Sequence, residues 1–222
     1  MKKWSFTFPS AGLTILGLLT LVVVQPAKLL AGPPLVCHPF EIGNASSLPA
    51  GSGPFGMKGN YDRSQLVEQT LTLLKSETPV IVRMETLRRA AVYVSRGLAG
   101  LEGNKGYSNE DKALAFALVS RLSARALDAE SEGRSDALAW FDAGYFIESC
   151  EQAGFRTGLA GYDWVKKALA LRGGDSEIEF AAALMCSMKG RGSRDEHLRK
   201  ASAGARKGSL LAANIDKHFG KR

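Results

Sequence analysis

Cysteine and histidine side chains that could bind a metal are few in this chain and poorly spaced. Cys37 and His38 are adjacent, which suits two ligands of one tetrahedral ion badly, and His197 and His218 each stand alone in the sequence. A c-type haem would require a second cysteine directly before His38, and that cysteine is missing. The sequence therefore predicts no metal centre.

Residues 51–56 match the glycine fingerprint of dinucleotide-binding folds letter for letter. The chemistry of that fingerprint needs a strand before it and a helix N-terminus after it to receive the pyrophosphate. No strand pattern precedes residue 51, and Pro54 stiffens the loop where the backbone would approach a phosphate. We therefore predict no bound cofactor, and we interpret this stretch as part of a flexible arm.

The most enzyme-like segment is residues 145–150, in which Glu148 precedes Ser149 near the end of a predicted helix. This pair resembles the catalytic Glu-Ser of soluble lytic transglycosylases, which are helical, exported enzymes. The resemblance implies that Glu148 is a general acid, held protonated in an apolar cleft. The Gly-Leu-Met-Gln of that family is Gly-Leu-Ala-Gly at residues 158–161 here. The alternative is that Glu148 is a solvated acid at a helix end.

Aromatic side chains lie close to Glu148 in the sequence, and they are candidates for a binding surface. They are Trp140, Tyr145, Tyr162 and Trp164. Such residues could line a groove for a glycan, a peptide or a partner protein, because large aromatic rings contribute strongly to interfaces. Packing in the helical core is the other interpretation of the same residues.

The chain has three cysteines, an odd number that leaves at least one thiol without an intramolecular partner. Cys150 and Cys186 each lie in a predicted helix. A disulfide between them is one alternative. Two buried free thiols are the other, because free cysteine is among the most buried residue types.

The positive charge is partly explained by the N-terminus. The net charge is +7, and it falls to +4 when residues 1–31, which contain three lysines and no acid, are set aside. The remaining excess lies in residues 189–222, which suit either a phosphate or anionic surface or a solvated helix face. Proteins that bind single-stranded nucleic acid place aromatic residues between their basic residues, and this cluster has no such arrangement. We predict no nucleic-acid partner.

The first 31 residues are typical of a signal peptide. Lys2 and Lys3 precede the apolar stretch 11–24, and small residues at Ala27 and Ala31 offer cleavage sites. The apolar run is shorter than the ~20 residues that a membrane-spanning helix needs. Cys37 lies too far from residues 30–32 for a lipoprotein signal. We predict export and cleavage, and the alternative is a retained membrane anchor.

The rest of the chain is predicted to be an extended arm (residues 32–60) followed by an all-helical domain (residues 61–222). The arm is rich in Pro and Gly, and it is expected to lie over the helices or to extend away from them. Apolar spacing and capping residues predict the helices 62–75, 78–98, 108–131, 135–152, 162–172, 175–189, 194–205 and 209–219. No stretch alternates long enough to predict a strand, so the fold class is all-α.

Details within the helices are also predicted. Thr78 and Ser135 are expected to cap their helices, and Glu85 with Arg89, four residues apart, is expected to form a plain stabilising pair. Residues 113–119 are apolar nearly all round, which favours a central position for the helix 108–131.

Two stretches repeat at an offset of 33 to 34 residues: Val-Lys-Lys-Ala at 165–168 returns as Leu-Arg-Lys-Ala at 198–201. Paired helices at that period resemble tetratricopeptide or Sel1-like repeats, over about residues 135–215. The resemblance implies stacked antiparallel helical hairpins. An irregular helical bundle is the alternative.

Residues 37–43 and 47–49 resemble the start of the mature region in a group of bacterial exported proteins of uncharacterised activity. The leading functional hypothesis is a non-enzymatic helical interaction module of the bacterial envelope, with a protein or peptide partner. The alternative is a peptidoglycan-acting, transglycosylase-like enzyme or glycan binder that uses Glu148. A membrane is a partner only if the signal segment is retained.

Overall fold

The computed structural model describes Met1 and residues 34–97, 106–189 and 194–220. Within these residues the chain forms helices and no strand, which confirms the all-α prediction. The helices are α1 (Pro34–Cys37), α2 (Leu66–Leu73), α3 (Val80–Val94), α4 (Asn109–Ser131), α5 (Ala137–Gln152), α6 (Gly161–Arg172), α7 (Ser176–Lys189), α8 (Arg194–Gly204) and α9 (Leu210–Phe219). Apart from Met1, the predicted signal segment lies outside the described residues, as do Arg191, Lys221 and Arg222.

Consecutive helices pack as antiparallel hairpins, as predicted. In the hairpin of α5 and α6, Trp140 contacts Trp164, while Glu148, further along α5, contacts Tyr162 at the start of α6. The hairpin of α7 and α8 has the same sense, because the start of α7 lies against the end of α8.

Two helices begin at the caps that the sequence indicates. The Ser108 hydroxyl accepts the Asp111 N–H at 3.1 Å, and the Asp111 carboxylate accepts the Ser108 N–H at 2.9 Å, which completes a capping box on α4. Ser209 caps α9 by accepting the Ala212 N–H at 3.2 Å. These capping side chains accept hydrogen bonds from N–H groups in the first turn of each helix, so distant residues are not needed there.

Two predicted caps are wrong. Asp136, and not Ser135, caps α5 by accepting the Ala139 N–H at 2.9 Å. Thr78 does not cap α3, because its hydroxyl donates to the Leu73 carbonyl at 2.9 Å and Pro79 stands at the N-cap position. A neighbouring residue competes for the role in both places, and sequence patterns locate helix ends only to within one or two residues.

The central helix is α3, and the prediction of a central α4 is wrong. Every residue of α3 except Arg89 is buried, including the charged Arg83 and Glu85. By contrast, α4 packs one side on α5 and leaves Phe116 and Leu127 exposed. The arm covers the side of α3 that the other helices leave open, so α3 is enclosed on all sides.

The described part of the arm lies over the helices. Leu35, Val36, Phe40 and Leu48 are buried in the core formed with the helical domain. The arm is also bound by its backbone: Arg88 donates from Nη1 to the Val36 carbonyl at 3.0 Å. Peptide groups that would otherwise lose their hydration are thereby paired, which allows an irregular segment to be buried.

Glu85 is the centre of this attachment. Its predicted pair with Arg89 is confirmed, and it is one part of a larger buried network. Its carboxylate is fully buried and accepts the Phe40 N–H at 3.0 Å, Arg88 Nε at 2.7 Å and Arg89 Nε at 2.7 Å. Burial acts to raise the pKa of Glu85, but Arg88 and the other donors outweigh it and hold that pKa below its ordinary value. We call Glu85, Arg88, Arg89 and Phe40 the arm anchor.

Helices α5 and α6 approach each other closely at Gly144 and Gly161. A Cβ placed on Gly144 would lie 2.6 Å from the Gly161 carbonyl oxygen. We expect Gly144→Ala to lower the free energy of unfolding by about 1–3 kcal/mol, because α5 and α6 must separate to admit the methyl group. Urea unfolding followed by circular dichroism measures the loss.

The matched control is Gly59→Ala. A Cβ at Gly59 meets no atom within 4 Å, so this variant should unfold within about 0.5 kcal/mol of the wild type. Equal stability of the two variants would contradict the close approach of α5 and α6.

Candidate functional site

The sequence-predicted site residues all lie on the hairpin of α5 and α6, but they do not share one surface. Trp140, Tyr145 and Glu148 are on α5, and Tyr162 and Trp164 are on α6. Their burial differs: only Trp164 is partly exposed, and the others are buried. The structure therefore divides these residues among the core, a helix terminus and the outer edge of the hairpin.

Glu148 holds the start of α6. Its side chain is buried, with 1% exposed, and its Oε1 accepts the Tyr162 N–H at 3.3 Å. The residue before α6, Ala160, offers no side-chain cap, so Glu148 supplies an acceptor and a negative charge where the helix dipole favours them. The interpretation of Glu148 as a solvated acid is wrong, because Gly161 packs directly on its side chain.

The two tryptophans form the outer edge of the hairpin. Their ring centroids are 4.8 Å apart, and Lys167 Nζ lies 3.7 Å from the Trp140 ring centroid, where the electron-rich face attracts a cation. Lys167 also forms an ion pair with Glu130 of α4. Lys167 thus covers the face of the Trp140 ring. Trp164 is the tryptophan of this pair that contacts solvent.

Tyr145 faces the interior. Its side chain is fully buried, its ring lies 5.6 Å from that of Phe141, and its hydroxyl has no hydrogen-bond partner among the described residues. Burial raises the pKa of Tyr145 well above its ordinary value, so the hydroxyl remains protonated. In this arrangement Tyr145 contributes to packing between helices and is not accessible to a ligand.

Tyr162 belongs to a hydrogen-bonded chain that sequence reasoning missed. The Tyr162 hydroxyl is 2.7 Å from His197 Nε2, and His197 Nδ1 is hydrogen-bonded to Glu179 Oε2. Lys200 Nζ lies 3.6 Å from the other Glu179 oxygen. His197, which stands alone in the sequence, is therefore partnered on both ring nitrogens. We call Tyr162, His197 and Glu179 the α6–α8 relay.

The α6–α8 relay has the parts of a nucleophile, a base and an orienting carboxylate. Burial is the largest influence on Tyr162, and together with the neighbouring Cys186 and Glu179 it raises the pKa of the Tyr162 hydroxyl. A hydroxyl with a raised pKa is a weaker nucleophile at neutral pH. The relay joins α6, α7 and α8 through these hydrogen bonds. The sequence alone does not predict the α6–α8 relay, because its contacts depend on the register of the α7–α8 hairpin.

No disulfide joins any two of the three cysteines in this structure. Cys150 and Cys186 are both buried, so the alternative of a bridge between them is not formed here. Burial raises the pKa of the Cys150 thiol, which keeps it protonated and unreactive.

A cavity of about 470 Å³ opens between the starts of α3 and α7. Glu177 in its wall accepts the Ile81 N–H at 3.3 Å, so a carboxylate of the chain already lies at the anion-binding end of α3. Burial raises the pKa of Glu177. Arg172, which also lines the cavity, is paired with Asp175 at 2.9 Å. These three charged side chains thus already have partners within the protein.

One face of α4 carries large apolar side chains that are exposed to solvent. Phe116 is 51% exposed and Leu127 is 48% exposed. The residues of this face are Ala113, Phe116, Ala117, Ser120, Ala124 and Leu127, and all of them are exposed. Their spacing of three and four residues places them in one row, which we call the α4 stripe.

Comparisons with protein-family models, with curated proteins and with solved structures found no match to this chain. Among the described residues, no helix is both long and apolar enough to cross a bilayer. In the same parts of the chain, no three His, Cys, Asp or Glu side chains are arranged to hold a metal ion.

Proposed function

We propose that this protein is a non-enzymatic helical interaction module, exported to the bacterial envelope, which binds a partner protein through the α4 stripe. The observation that carries the proposal is the exposure of Phe116 and Leu127 on the same face of α4. Exposed apolar patches on otherwise polar surfaces commonly mark interaction sites. The export part rests on the N-terminal sequence pattern, and the stacked hairpins are compatible with tetratricopeptide-like modules.

The dimensions of the stripe suit a helix of the partner. Ala113 and Leu127 are separated by about 21 Å along α4, since each helical residue advances about 1.5 Å. Between them, Ala117, Ser120 and Ala124 are small, so a facing helix can approach closely and place its large side chains between Phe116 and Leu127. The opposite face of α4 is occupied by α5, so the stripe is the face left for docking.

The charges beside the stripe favour a partner helix of defined charge pattern. Lys112 is exposed at the N-terminal end, and Asp128 is exposed at the C-terminal end. Within the described residues, neither side chain forms an ion pair with another part of the chain. We therefore expect an amphipathic helix that carries an acid opposite Lys112 and a base opposite Asp128.

The alternative of a transglycosylase-like enzyme requires Glu148 to reach a glycan, whereas its carboxylate is 1% exposed and accepts the Tyr162 N–H. A zymogram on purified peptidoglycan, with Glu148→Gln beside the wild type, remains the direct test of that activity.

We expect Phe116→Glu to weaken partner binding without unfolding the protein. To identify the partner, Ser120 is replaced by a photo-crosslinking amino acid, and crosslinked adducts are recovered from envelope membranes and periplasm. The positional control carries the same photo-crosslinking amino acid in place of the exposed Ser202 on α8. The partner is then purified. We expect Phe116→Glu to raise its Kd at least about 30-fold, as is typical of a central apolar contact.

Leu171→Glu is the matched variant, because Leu171 is 42% exposed but lies on α6, away from the stripe. Its Kd should equal that of the wild type, and circular dichroism should show all variants folded. Adducts at twice the mass of the chain would identify a second copy as the occupant and overturn the proposal of a different protein. A Kd insensitive to Phe116→Glu would also overturn it.

A further inference from the structure

The last helix, α9, also holds the arm in place. Asn214 of α9 donates from Nδ2 to the Glu41 carbonyl at 2.8 Å and accepts the Glu41 N–H at Oδ1, also at 2.8 Å. Lys217 adds an ion pair with the Glu41 carboxylate. We call the contact between residues 38–41 and Asn214, Lys217 and His218 the α9 clasp.

An imidazole with no hydrogen bond lies at the centre of the α9 clasp. His218 is 7% exposed, and both of its ring nitrogens are buried without a partner among the described residues. Its ring stacks on Phe40 at 4.7 Å and meets the edge of Phe180 at 5.8 Å. Such a site accepts a neutral ring, whereas an imidazolium would be a buried charge with two unsatisfied donors.

The charged and titratable groups around His218 also disfavour a positive ring. His38 of the arm lies at a ring distance of 6.3 Å, Lys217 is its neighbour on α9, and α3 contributes Arg88 and Glu85. From α7 the contact is the uncharged Phe180 ring. Glu85 is the group that favours an imidazolium, but its oxygens already accept hydrogen bonds from the Phe40 N–H and from Arg88.

We propose that His218 is a proton-sensitive latch: when the ring is protonated, the α9 clasp opens and releases α9 together with residues 38–41 of the arm. The released surface includes the rings of Phe40 and Phe180, which are packed together at 6.1 Å in the closed form. The protein thereby responds to acidification of its surroundings, as buried histidines do in other pH-sensitive interfaces.

The direction follows from the two protonation equilibria. Burial, with His38 and Lys217, lowers the pKa of His218 from its ordinary 6.5 to about 4 in the closed form. Between these values the open form binds the proton more readily, so the closed form is favoured above pH 6.5 and loses stability as the pH falls towards 4. The ratio of open to closed clasp should rise about 30-fold between about pH 7.5 and about pH 5.

Hydrogen exchange measured by mass spectrometry on the full chain tests the latch. After correction for the chemical exchange rate, protection of α9 and of residues 38–41 should fall about 30-fold from about pH 7.5 to about pH 5, while protection of α5 is retained. His218→Phe should remain protected at both pH values. This substitution keeps an aromatic ring on Phe40 and removes no hydrogen bond, because His218 makes none among the described residues.

His197→Gln is the matched control, because it removes a histidine of the α6–α8 relay and leaves the clasp intact; it should show the wild-type response. If His218→Phe does not fold, an NMR titration of the wild-type His218 ring replaces it, with a midpoint near pH 4 expected. A midpoint at 6.5, or an equal loss of protection in His218→Phe and the wild type, would overturn the proposal.

Discussion

Glu85→Ala is expected to lower the free energy of unfolding by about 3–5 kcal/mol, because it leaves a buried guanidinium without its counter-charge. Arg88 is 1% exposed and donates to both oxygens of Glu85. The substitution also removes the acceptor of the Phe40 N–H, so the arm loses a backbone contact at the same time. Denaturant unfolding followed by tryptophan fluorescence measures the loss.

The control for Glu85 is an exposed carboxylate in a comparable ion pair. Glu68 on α2 lies 3.4 Å from Arg121, with side chains 68% and 58% exposed. Glu68→Ala should cost less than about 1 kcal/mol, since solvent screens exposed pairs. Limited proteolysis adds an independent reading, because only Glu85→Ala should expose residues 38–60 to cleavage. A stable Glu85→Ala variant with a protected arm would refute the arm anchor.

Asp142→Ala is expected to be as costly, about 3–5 kcal/mol, because Arg83 would be left charged and buried between α3 and α5. Arg83 Nη1 donates to Asp142 Oδ2 at 2.5 Å, and both side chains are 1% exposed. Burial raises the pKa of Asp142 to about 7, since the Arg83 guanidinium offsets only part of the lost hydration. Burial of this ion pair therefore costs free energy, and removal of only one partner destabilises the fold further.

A double-mutant cycle distinguishes this explanation from simple loss of packing. Arg83→Met with Asp142→Leu removes both charges and keeps the volume apolar, so it should be less destabilising than Asp142→Ala alone. We expect a coupling free energy of about 1–3 kcal/mol. The gain is incomplete because Arg83 Nε also donates to the Thr78 carbonyl at 2.9 Å. Additive single effects would show that the two charges do not depend on each other.

The helices and their order could be predicted from local sequence signals. Ser108 and Ser209 identify the starts of α4 and α9 because each accepts a backbone N–H three residues ahead. The identity of the central helix could not be predicted in this way. Arg83, Glu85 and Arg88 have the composition of a solvated face, and their burial depends on partners in the arm and on α5 that are distant in the sequence.

The candidate site was predicted less well, for a related reason. The resemblance to a transglycosylase pointed to Glu148, but the backbone N–H that it accepts belongs to Tyr162, at the start of the next helix. The partners of Tyr162 depend on how α7 and α8 align, and no residue spacing encodes that register. The α4 stripe is visible in the sequence only as part of an apolar run. Its exposure follows from which face α5 covers.

The α9 clasp also constrains the order in which the chain can fold. Glu41 and Asn214 are 173 residues apart, so the arm emerges from the ribosome long before its partner helix is synthesised. Until then the apolar side chains of Leu35, Phe40 and Leu48 have no complete binding surface. Closure of so long a loop is slow, and exposed apolar segments invite aggregation or chaperone binding. The final helix therefore completes the folding of the segment that is synthesised first.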